Sequence, residues 1–106
     1  MVDADLLMGE AAANFCVEKR QWWDVDIPIA TEGWQKWKSV LAAELTYDGW
    51  LDVQKAVLAV DNLRMTRGTV TGDISEPVAA QIVPILEDIK AGRFALVLET
   101  RLRFGR

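Results

Sequence analysis

Three features of the sequence predict an α+β fold, a small mixed or antiparallel sheet of three to four strands with helices packed mainly on one face. Residues 21–29 and 94–104 alternate in side-chain character with a period of two, as half-buried strands do. Elsewhere, apolar residues recur at spacings of three and four, which is the mark of amphipathic helices. Cap and turn residues separate these stretches and give the order α-β-α-α-β-α-β over one domain, residues 1–106.

The first helix is predicted over residues 3–16. Asp3 or Asp5 caps it, Met8, Ala12, Phe15 and Cys16 supply the apolar spacing, and the Ala11–Ala13 run adds propensity. Residues 21–29 then read as a strand. Trp23, Val25, Ile27 and Ile29 share one face and Trp22, Asp24 and Asp26 the other, with Pro28 marking an edge or an end. Thr31 and Glu32 start a second helix, whose stripe is Trp34, Trp37, Leu41 and Leu45. Asp48 and Gly49 close it and cap a third, in which Trp50, Val53, Val57 and Val60 repeat by three and four beside Leu51 and Leu58. Val57–Val60 also fits a buried strand.

Residues 63–74 are rich in Thr and Val, with Gly68 and Gly72, and read as a strand or short hairpin turned at Arg67–Gly68. Ser75-Glu76-Pro77 opens a helix whose stripe is Val78, Ile82, Ile85, Leu86 and Ile89. Pro84 removes one ladder hydrogen bond and predicts a kink, and Gly92 is the expected stop. The final strand sets Phe94, Leu96, Leu98, Leu102 and Phe104 on an apolar face. Glu99, Arg101 and Arg103 lie on the other.

Composition narrows function mostly by exclusion. There is no histidine, so Ser-His and Cys-His nucleophilic pairs and His-based zinc sites are ruled out. One cysteine allows neither an internal disulfide nor a CxxC motif, and it points to a reducing, cytoplasmic setting. No apolar run reaches the length of a membrane span, and the acidic start lacks the basic and apolar regions of a signal peptide. The net charge of −4 argues against nucleic acid, although it is unevenly spread: residues 1–61 hold 5 Lys/Arg against 11 Asp/Glu, residues 62–106 hold 7 against 5. The GTVTGD segment starting at Gly68 lacks the glycine spacing of a phosphate loop. No catalytic group, metal site or cofactor is predicted.

What remains points to a small non-enzymatic interaction module: an inhibitor, immunity-type protein, assembly factor or accessory subunit. Its expected partner is a protein, a larger enzyme or complex. The expected contact residues are Trp22, placed opposite the core face, Asp24 and Asp26 beside it, and Arg101 and Arg103 on the last strand. An edge strand offers a second route, by extending a partner's sheet or pairing two copies. The alternatives are a small-molecule pocket lined by Trp34, Trp37 and Glu99 and an enzyme using Asp24, Asp26 or Glu99 as acid or base.

Overall fold

Helices account for every regular element in the computed structural model of the chain, which describes residues 2–23, 32–70 and 72–104. They are α1 (Val2–Lys19), α2 (Glu32–Glu44), α3 (Tyr47–Thr69) and α4 (Glu76–Phe104). No strand occurs among the described residues, so the α+β expectation is overturned in favour of a helical bundle. Nor is any described helix long and apolar enough to cross a membrane.

Local chemistry sets each helix boundary. Helix α1 buries Leu6, Gly9, Ala13 and Cys16, a 3-4-3 spacing that lines one face. It ends at Arg20, whose φ of 55° puts it in the left-handed region, and whose N–H donates to the Cys16 carbonyl at 3.0 Å. That is the single-bond C-cap in which glycine is the usual residue. In α2, Trp34 is buried and Leu41 half-buried, and Leu45 is buried just past the end. Thr46 caps α3 from an extended backbone (φ −64°, ψ 162°), its hydroxyl accepting from the Gly49 N–H at 3.1 Å. Asp48 lies in the first turn, where it complements the helix dipole, so the cap is Thr46 rather than the expected Asp48–Gly49.

The strand predicted over residues 63–74 is helical as far as Thr69. Its threonines are accommodated by bonding back to their own helix. The Thr66 hydroxyl donates to the Asn62 carbonyl at 2.8 Å, and the Thr69 hydroxyl to the Thr66 carbonyl at 3.2 Å. Leu63, fully buried, continues the core stripe of Val53, Ala56 and Val60, and this packing outweighs β-propensity. Helix α4 starts as expected, with Ala79 N–H on the Ser75 carbonyl and Pro77 in the first turn. It runs on through the exposed Pro84, past Gly92 and through the predicted final strand to Phe104. Its 29 residues span about 43 Å at 1.5 Å each, matching the 44 Å long axis of the molecule.

Gly92 serves close packing instead of chain termination. A Cβ there would collide with the Ala56 Cβ and stand 2.6 Å from the Asp52 carbonyl oxygen, so α3 and α4 approach at backbone distance. Gly9 does the same more loosely, facing Val60 and Ile89. These contacts also fix direction. Gly9 is level with Val60, and Cys16, seven residues on, lies by Arg67, so α1 and α3 run parallel. Val60 is level with Ile89 and Val53 with Gly92, so α4 runs antiparallel to both. Helix α4 packs along α3 and α1, and α2 rests on α1 and α3. Leu6, Val53, Val60, Leu63, Ile82 and Ile89 form the innermost layer. Among the described residues no polar or charged side chain is fully buried. Arg93, on the seam between Ile89 and Leu96, is part-buried, and its Nη1 donates to both Glu10 carboxylate oxygens at 3.1 and 3.2 Å.

Candidate interaction surface

Trp22 and Trp23 leave α1 in irregular chain and turn toward the bundle end. Trp23 is buried against the core, with the Arg67 guanidinium 4.6 Å from its ring centroid. Trp22 meets Trp23 edge to face at 5.9 Å, and its Nε1–H donates to the Gly72 carbonyl at 3.0 Å. Trp22 is therefore half-buried and joins two chain segments fifty residues apart. Cys16 sits beneath this cluster. Burial pushes its thiol up to about 11, against the smaller opposing effects of the Trp23 N–H and the Arg67 charge. The thiol stays protonated at neutral pH and is a core atom, as its place on the apolar stripe implies.

Asp24 and Asp26 lie outside the described residues. Arg101 and Arg103 belong to the last turn of α4 rather than to a strand. Glu99, part of the expected pocket, is on the same helical stretch. Trp34, also placed in that pocket, is buried against Trp50 (centroids 6.0 Å, 44° between planes), and Trp37 belongs to α2. Of the two edge strands expected, the one at residues 94–104 is part of helix α4, and most of the other, residues 24–29, lies outside the described residues. No group of three metal-ligating side chains occurs among the described residues.

The surface that the structure does bring out is the outer side of α3. Leu51, Leu58 and Met65 are 37%, 55% and 66% exposed, and Tyr47 at the start of the helix is 75% exposed. Steps of seven keep Leu51, Leu58 and Met65 in one line, which 3.6 residues per turn sets about 180° from Val53, Ala56, Val60 and Leu63. Lys55 and Asn62 flank the line on one side, Gln54 and Asp61 on the other; Asp61 also pairs with Arg64 at 3.5 Å. Helix α3 thus carries an apolar stripe on two opposite faces, and the bundle covers only one. The seven-residue spacing is visible in the sequence. That Met65 shares a helix with Leu51 and Leu58 is not, because it falls in the segment whose threonines suggest a strand. Comparison with known protein families, with curated proteins and with solved structures finds no match to this chain.

Proposed function

We propose that this chain is a small non-enzymatic protein-interaction module that docks a partner on the outer side of α3. The observation that carries this reading is the line Leu51–Leu58–Met65 with Tyr47, a large apolar set diametrically opposite the buried face. Helices that pack against nothing on one side are normally polar there. The absence of histidine and the inert Cys16 thiol take the commonest general base and the one thiol out of consideration. The test is a photo-cross-linking amino acid placed at residue 58 and, as a control, at the exposed Gln81. Discrete adducts at 58 and none at 81 are expected in the native cell. Equal or absent labelling at the two positions rules the surface out.

One atom favours a second reading. Trp50 Nε1 is buried beside Trp34 without a hydrogen-bond partner among the described residues, an exception to the usual pairing of buried donors. A small ligand with an acceptor group would satisfy it. A saturable change in tryptophan emission on titrating a metabolite panel, lost in Trp50→Phe, supports this reading, and a flat response to the panel counts against it.

A further inference from the structure

We infer that the occupant of the outer α3 face is α3 of a second copy of this chain, laid antiparallel with Leu58 on the two-fold axis. This rests on the docking reading above and adds the identity of the partner. A two-fold interface must complement itself, so each residue has to suit whatever the reversed helix presents. Reversal about Leu58 lays Leu51 over Met65, seven residues to either side, and Leu58 over itself. It brings Lys55 level with Asp61, three residues to either side, and Gln54 level with Asn62, four to either side. Along the flanks, Lys55 then faces Asn62 of the second copy, and Gln54 faces Asp61, so each charge meets an amide able to answer it. A parallel pairing also gives each charge an amide, Lys55 facing Gln54 and Asp61 facing Asn62, but it sets Lys55 level with Lys55 and Asp61 level with Asp61 across the pair, where the antiparallel one sets Lys55 level with Asp61. The seven-residue spacing is also what a helix demands of the helix it packs along.

Sedimentation equilibrium and disulfide trapping test this together. Wild-type protein is expected to show a concentration-dependent dimer. Leu58→Glu should raise its dissociation constant roughly tenfold or more while far-UV circular dichroism stays unchanged. Met65→Glu, at a more exposed position, serves if Leu58→Glu loses helicity. Under mild oxidation, Leu58→Cys should cross-link to itself. Leu51→Cys should cross-link only when mixed with Met65→Cys, and the buried Cys16 of the wild type should stay silent. A wild type that is monomeric at every concentration overturns the proposal, as does Leu51→Cys cross-linking to itself as readily as Leu58→Cys. A monomer that still gives specific adducts to another protein at residue 58 sinks the second copy and leaves the docking face standing.

Discussion

Two residues carry conformational or ionisation costs that can be measured. Arg20 holds a left-handed backbone (φ 55°) at the C-cap of α1, a region that costs an L-residue about 1 kcal/mol and glycine little. Arg20→Gly should therefore raise stability by about 0.5–1 kcal/mol, read as a higher urea midpoint with an unchanged slope. Cys16 gives a pH dependence whose sign follows from the raised thiol. Below pH 9 the thiol is protonated in both folded and unfolded chains. Between 9 and about 11 only the unfolded chain loses the proton, so the contribution to stability falls with rising pH. The decline is at most about 1.4 kcal/mol per pH unit. It appears as a narrowing difference between wild type and Cys16→Ala above pH 9; a gap constant from pH 8 to 11 would show that the thiol is not held protonated.

At the level of elements, the helix crossings are set by glycine. Gly92→Ala gains about 1 kcal/mol of intrinsic helix propensity and loses more, because its Cβ meets the Asp52 carbonyl oxygen, which cannot rotate away. A net destabilisation of about 1–2 kcal/mol by chemical denaturation is expected. Gly9→Ala meets only the Val60 side chain, at 2.7 Å, and should stay within about 1 kcal/mol of wild type. The same glycine shows what the sequence made legible and what it hid. Helices α1, α2 and most of α3 follow from apolar spacing and the start of α4 from Ser75-Glu76-Pro77, which are local signals, whereas the caps expected at Asp3 or Asp5 and at Asp48–Gly49 lie inside α1 and α3. The second half of α4 does not. Phe94, Leu98 and Leu102 are four apart, a spacing that satisfies a strand face and a helix face equally, and Gly92 just before them imitates a stop. The deciding fact, that α3 lies against Gly92 at backbone distance, is a tertiary contact between residues 52–56 and 92 that no local pattern contains. The interaction surface suffered likewise: Leu51 and Leu58 were placed on a helix, but without Met65 in that helix their line had no length.

For the whole molecule, α4 is the common support. It spans the full 44 Å and packs on both α1 and α3, while α2 lies on the side and meets its neighbours over a smaller area. Amide hydrogen exchange should accordingly be slowest around Ile82–Ile89 and fastest in α2, with the Thr46-capped start of α3 between them. Equal protection in α2 and in the middle of α4 would show that the four helices open as one unit. Because α1 and α3 point the same way, the chain leaving Lys19 must travel back along the molecule before Tyr47 can begin, and α2 lies on that return. The return path is a tether, and the contacts among α1, α3 and α4 do not run through it. Severing the backbone between α1 and α2 would leave two pieces whose matching faces are intact, so a peptide of residues 1–23 mixed with residues 32–106 should restore one another's helicity at a one-to-one ratio.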